Sequence, residues 1–317
     1  FGANGDGVTD NTNAFNKAFE FAFKNNISII IPKGEYIITS TLNCSPTIHI
    51  IPYGEVIIKD KGTANVTINM QSLDEETVSS DSFFTSPNIN NSLGNIVLIN
   101  DTANIKTGIY TTGYTKENIS KRNNLVLRGV TFKNYNVGLH IDTLSTYITT
   151  YEKLVFTKCN YGLQIGNNKS IILDSGEKIV FNDCLWGNCK TAIINKSIQM
   201  ELTFNHCSID MCGCCVIGGK AIKLDFNECH FEAFGIGANL VETNSGFEGI
   251  VKVDNSDNDY DRTFVTLNNC IIFCAGTKSN SNKDMYRYPS TQFFVGSRMM
   301  LYLNNVIFSY DEKASAA

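Results

Sequence analysis

The sequence predicts a mostly-β chain wound as a parallel solenoid behind one N-terminal helix, and three observations carry that prediction. Near the start, apolar residues recur once at helical spacing. From Ile27 onward they recur in short β-branched runs broken by Gly, Pro, Asn and Asp. Beyond residue 130, a motif apolar at its first, fourth and sixth positions returns at four steps of 22 to 25 residues and then at two longer ones.

The chain opens with FGANGDGVTDNTNAF, residues 1–15, a run of turn residues leading into the first apolar positions. Ala14, Phe15, Ala18, Phe19, Ala22 and Phe23 then form one face of a helix predicted over residues 10–24, with Thr9 or Asp10 as its cap. ISIIIP, EYIIT, IHIIP, EVIIKD, NVTINM and NIVLIN follow as short strands, and no second helical pattern appears.

The repeat is read by aligning FKNYNV, FTKCNY, FNDCLW, FNHCSI, FNECHF, LNNCII and LNNVIF, which begin at Phe132, Phe156, Phe181, Phe204, Phe226, Leu267 and Leu303. The steps are 24, 25, 23, 22, 41 and 36 residues, so the last two coils carry insertions. Such a period is too short for a propeller blade and suits one coil of a parallel β-solenoid. In this alignment the first, fourth and sixth positions point inward. Asn182, Asn205, Asn227, Asn268 and Asn304 share the second position, where left-handed backbone and side-chain ladders suit Asn. Residues 1–26 are expected to form the turn and capping helix and 27–312 the solenoid, with insertions near 243–262 and 277–292. Residues 313–317 are expected to form a tail, and Phe1 in place of Met leads us to expect sequence upstream.

With 317 residues, 43% hydrophobic and 18% charged, the chain can bury a large core. A net charge of −5 argues against general nucleic-acid binding, and no apolar run is long enough to insert in a membrane. Of the eleven cysteines, Cys159, Cys184, Cys207, Cys229 and Cys270 fall in one column of the alignment, and Cys189 and Cys212 in another. Stacked parallel strands make disulfides between them unfavourable, so buried thiols are expected, made in a reducing cytoplasm. Cys212, Cys214 and Cys215 lack a metal-ligand spacing with histidine, so neither metal nor cofactor is expected.

On those residues a family resemblance enters. FGANGDGVTDNT followed by an apolar helix, with the coil repeat behind it, resembles the pectate-lyase-like superfamily, and in style its phage tailspikes and capsular polysaccharide depolymerases. The resemblance covers nearly the whole chain. It implies a right-handed parallel β-helix capped by the short helix, a homotrimer, a virion tail location, and a bacterial surface polysaccharide as partner. The polygalacturonase set is missing, and Arg287, Tyr288, Pro289 and Gln292 only partly match the RxPxxR of pectate lyases.

If the sixth position points inward, the fifth and seventh point outward. Asp210 and Glu232 then share one exterior column on adjacent coils, with Ser208 and His230 beside them. The same alignment places Gly138, Gly162 and Gly187 in that column on earlier coils, which would leave a shallow groove for a sugar chain. A close carboxyl pair is what glycoside cleavage uses, with Asp210, Glu232 and His230 as the catalytic candidates. Asp183, His206 and Glu228 form another column at the third position, expected as a turn ladder or a binding strip with Ser208. Asp254, Asp257, Asp259 and Asp261 read as a solvated loop, and Tyr286, Arg287 and Tyr288 as sugar-binding candidates on the second insertion. The function expected is an endo-acting glycoside hydrolase of tailspike type. The alternatives are a non-catalytic glycan receptor, a polysaccharide lyase of the same fold, and a structural solenoid.

Overall fold

The computed structural model describes residues 1–45, 48–71, 96–103, 105–112, 126–142, 146–166, 176–197, 200–219, 222–232, 249–253, 262–274, 293–296 and 298–310. These wind into a right-handed parallel β-helix whose described strands form three parallel sheets, of 11, 9 and 6 strands. One coil shows the path. Met200–Asn205 lies in the six-stranded sheet, Ser208–Asp210 in the eleven-stranded sheet and Cys214–Gly218 in the nine-stranded sheet. Lys223–Asn227 then pairs in parallel with Met200–Asn205 one rung on.

The helix, α1, spans Thr12–Asn25 and buries Phe15, Ala18, Phe19 and Ala22 over the open end of the first coil. Its N-cap residue is Asn11, whose side chain makes no cap bond to the helix. The expected cap Asp10 nevertheless serves the first turn, because its Oδ1 accepts from Thr12 N at 3.0 Å. Asn11 is buried and holds the opening segment instead, donating from Nδ2 to Thr9 O (2.6 Å) and accepting Asn4 N on Oδ1 (2.6 Å). Asp10 Oδ2 accepts from Thr39 Oγ1 at 2.6 Å, tying this turn to the strand Ile29–Ile38. The Gly5 and Gly34 backbones pass so closely that a Cβ on Gly5 would lie 2.9 Å from Gly34 Cα. The opening motif is therefore a backbone crossing and end cap.

The inward ladders exist, but the register differs from the sequence alignment. Phe132 pairs with Phe156, and Phe156 pairs with Trp186, then Ile209 and Phe231, all in the eleven-stranded sheet. Phe181, Phe204, Phe226 and Leu267 form a different column, in the six-stranded sheet, that starts from Tyr151. The reason is that each coil turns twice by the same recipe: a buried apolar residue, one intervening residue, a left-handed residue, and a small buried residue. Phe181–Asn182–Asp183–Cys184 enters the eleven-stranded sheet, and Trp186–Gly187–Asn188–Cys189 leaves it. Phe156–Thr157–Lys158–Cys159 is a leaving turn that reads in sequence like an entering one.

Two corrections follow. Cys159 belongs with Tyr135, Cys189 and Cys212, while Cys184, Cys207, Cys229 and Cys270 form their own ladder. Each thiol contacts the carbonyl of the apolar residue one coil back, as in Cys189 with Phe156 O (3.7 Å) and Cys207 with Phe181 O (3.4 Å). The left-handed residues are at the third position (Asp183, His206, Glu228 and Asn269), whereas the second-position Asn residues supply the ladder. Asn205, Asn227 and Asn268 each donate from Nδ2 to the preceding Oδ1 at 2.9 Å.

Cys44, Cys159, Cys184, Cys189, Cys207, Cys212, Cys214, Cys215, Cys229 and Cys270 are free and buried. The adjacent Cys207 thiol, with burial, pushes Cys229 up to about 12, and burial pushes Cys44 up to about 12, so these thiols stay protonated and act as small apolar side chains. Two aromatic stacks fill the centre: Phe132–Phe156–Trp186, with centroids 4.9 and 5.2 Å apart, and Tyr151–Phe181–Phe204–Phe226 beside it. Gly138 and Gly162 are not on the exterior groove. They face these stacks from the nine-stranded sheet, where an added Cβ would lie 2.7 Å from Phe156 and 2.4 Å from Trp186. Among the described residues no helix is long and apolar enough to cross a membrane.

Candidate functional site

The candidate site sits on the short strands of the eleven-stranded sheet, where turn geometry fixes every side chain. After the entering turn buries Cys207 and Cys229, the strands Ser208–Asp210 and His230–Glu232 alternate outward, inward, outward around buried Ile209 and Phe231. Their register pairs Ser208 with His230 and Asp210 with Glu232. The four candidates are thus brought together, about one 4.8 Å rung apart.

Ser208 Oγ donates to Asp210 Oδ1 at 2.7 Å and lies 3.5 Å from His230 Nδ1. His230 Nδ1 is 3.8 Å from Asp210 Oδ1 and 4.0 Å from Glu232 Oε2, so the imidazole stands close to both carboxylates without a direct hydrogen bond to either. The side chains of Asp210, Glu232 and His230 remain 31%, 37% and 39% exposed, open to a substrate on the surface. Gly187 borders Asp210 on the preceding coil, and an added Cβ there would meet nothing within 4 Å. On the earlier coils Lys133 and Thr157 occupy this column in place of the expected Gly138 and Gly162.

Donor atoms of Asp210, His230 and Glu232 lie within 4.8 Å of one another, the one such group among the described His, Cys, Asp and Glu residues. Metal–ligand bonds of about 2.0–2.6 Å place ligand atoms up to about 4–5 Å apart, so this spacing would also admit a shared cation. As it stands it is a carboxylate pair with an imidazole close by, suited to proton transfer.

Asp183, His206 and Glu228 lie at the left-handed turn positions of three successive coils. His206 Nδ1 is 3.7 Å from Asp183 Oδ1, and its Nε2 is 3.4 Å from Glu228 Oε2. All three are more than half exposed. They edge an open groove of about 700 Å³ that follows the Asn ladder toward Arg128 and Glu152. Tyr286, Arg287 and Tyr288, and Asp254, Asp257, Asp259 and Asp261, lie outside the described residues.

Sequence reading missed two features. Ile271 and Phe273 continue the columns of His230 and Glu232 onto the next coil, a fact available from LNNCIIF by the same spacing. On the nine-stranded sheet, Tyr110 Oη donates to Asp142 Oδ2 (2.7 Å), while His140 Nε2 meets Gly166 O (2.8 Å) and Gln164 Nε2 (3.0 Å). No sequence signal marks that cluster, because its members align only through the pairing of strands 107–112, 137–142 and 161–165.

Comparison with solved structures finds one that shares the fold over nearly the whole chain. The structure of the Acinetobacter phage vb_AbaP_AS12 gp42 tailspike matches 99% of this chain and 62% of its own at a TM-score of 0.53, with 11% identity. This chain thus spans under two thirds of that tailspike's length. The A-module of the Azotobacter vinelandii mannuronan C-5 epimerase AlgE6 matches 98% of each chain at a TM-score of 0.44, with 13% identity. The model of the rhamnogalacturonase A/epimerase, pectate lyase-like family matches residues 1–217, more than half of the sequence and including the opening motif and the first regular coils. This parallel β-helix belongs to that family.

Proposed function

We propose that this chain is the glycan-cleaving β-helix of a tailspike-type depolymerase and hydrolyses a bacterial surface polysaccharide (capsule, exopolysaccharide or O-antigen) at internal bonds. The observation that carries the reading is the pairing of Asp210 with Glu232 on adjacent coils, with His230 close to both. Glycoside hydrolysis asks for one ionised and one protonated carboxyl flanking the bond. The Ser208 hydroxyl aimed at Asp210 suits the ionised partner and leaves Glu232 as the acid, with His230 beside both. Donor oxygens under 5 Å apart stand on the short side, toward the separation of about 5–5.5 Å used by retaining enzymes. The likeness to a phage tailspike supports a virion tail location and action outside the host cell, and the homotrimer is proposed with them on the family resemblance alone.

The test is reducing-end release from purified capsule and lipopolysaccharide. The Asp210→Asn and Glu232→Gln variants are expected to stay folded and to lose at least about 100-fold in rate. A folded double variant cutting at the parental rate would refute the assignment. A non-catalytic receptor is the second reading, favoured by the exposed Asp183–His206–Glu228 strip along its groove. Glycan binding without any release of reducing ends would select it.

A further inference from the structure

We propose that Phe273 and Ile271 form the sugar subsite adjoining the acid pair and that this subsite takes an uncharged pyranose. The proposal rests on the reading of Asp210 and Glu232 as the cleaving pair. In register, Glu232 is followed by Phe273 and then Ser309, while His230 is followed by Ile271 and then Ile307. Phe273 alternates with fully buried Ile272, so it stands on the outer face. Ile271 and Ile307 are 42% and 55% exposed there. The face therefore changes along the solenoid axis from an open step at Gly187, through two carboxylates and an imidazole, to an apolar shelf whose described members, Ile271, Phe273 and Ile307, carry no ionisable group.

That order dictates an occupant. The C–H face of a pyranose packs on an aromatic ring, and its hydroxyls remain in water at the rim. A uronate placed there would bring its carboxylate beside Glu232 and Asp210, and among the described residues no Lys or Arg stands on these two rungs to offset the repulsion. Rungs repeat at about 4.8 Å, comparable with the length of one pyranose, so a chain laid along the axis presents one ring to the acid pair and the next to Phe273.

Binding of defined capsular and O-antigen oligosaccharides, neutral and uronate-bearing, to the full chain carrying Glu232→Gln alone, which removes the acid and keeps the Asp210 charge, tests this by calorimetry. Neutral chains are expected to bind. Adding Phe273→Ala should weaken them about tenfold and Phe273→Tyr should restore them, with an unchanged melting temperature. In the active chain Phe273→Ala should raise KM about tenfold and leave kcat within about twofold. Tighter binding of the uronate chains, or a Phe273→Ala variant that binds as its parent, overturns the subsite. If Asp210→Asn silences cleavage while Phe273→Ala leaves KM unchanged, the subsite fails alone. If Asp210→Asn cuts like the parent, or no glycan binds at all, the site reading fails and takes the subsite with it.

Discussion

Gly162 faces Trp186 across the solenoid interior so closely that a Cβ on the glycine would stand 2.4 Å from Trp186 Cδ1 and 2.8 Å from Ala192 O. The indole is fully buried between Phe156 and Phe204, so it has nowhere to move. Gly162→Ala should destabilise the chain by about 1–3 kcal/mol, read as a lower denaturation midpoint. Gly187→Ala, whose Cβ enters open space, should be within about 0.5 kcal/mol of the parent. Equal costs at the two glycines would contradict their assignment to opposite faces.

Asn227 stands in the middle of the amide ladder, donating to Asn205 and accepting from Asn268. Asn227→Ala removes both bonds and leaves a half-buried partner on each side. A loss of about 1–3 kcal/mol is expected by chemical denaturation. Asn305→Ala, at the exposed end where one donor bond to Asn269 is lost, should cost less.

Lys106 and Asp60 form a buried ion pair at 2.6 Å, with both side chains essentially inaccessible. Asp60 also accepts from Gly62 N (2.9 Å) and Thr67 Oγ1 (2.7 Å), so its oxygens are already committed to this network. Lys106→Met would strand the carboxylate and should cost about 3–5 kcal/mol. Pairing it with Asp60→Asn should recover part of the loss, and a double variant no better than the single would argue against the pair.

Burial holds the His140 pKa below its ordinary value, against the opposing pull of the Gly166 carbonyl and of Asp142. Tyr110 and Gln164 pack on the ring, and the Lys196 charge adds to the lowering. Because the folded state resists the proton, the unfolded chain binds it first as pH falls below about 6.5. This contribution to stability is therefore complete above that pH and is lost toward pH 5. Melting temperatures at pH 7 and pH 5 should fall more steeply for the parent than for His140→Gln, and matching slopes would exclude His140 as the source.

The sequence by itself determined the solenoid, the capping helix and the pairing of Asp210 with Glu232. Between residues 181 and 232 the coils step regularly by 22 or 23 residues, so inward Phe, Cys and Ile positions and outward Ser208, Asp210, His230 and Glu232 follow from alternation alone. Only the tertiary structure decided which turn each motif makes. Phe156–Thr157–Lys158–Cys159 and Phe181–Asn182–Asp183–Cys184 satisfy the same local demand: an apolar anchor, a left-handed residue and a small buried thiol. Hydrogen bonding to the neighbouring coil tells them apart, setting Phe156 beneath Trp186 and Tyr151 beneath Phe181. That choice moved Cys159 to the other thiol ladder and turned Gly138 and Gly162 inward. A repeat read along one strand fixes what alternates, whereas the register between coils, a long-range property, fixes what stacks.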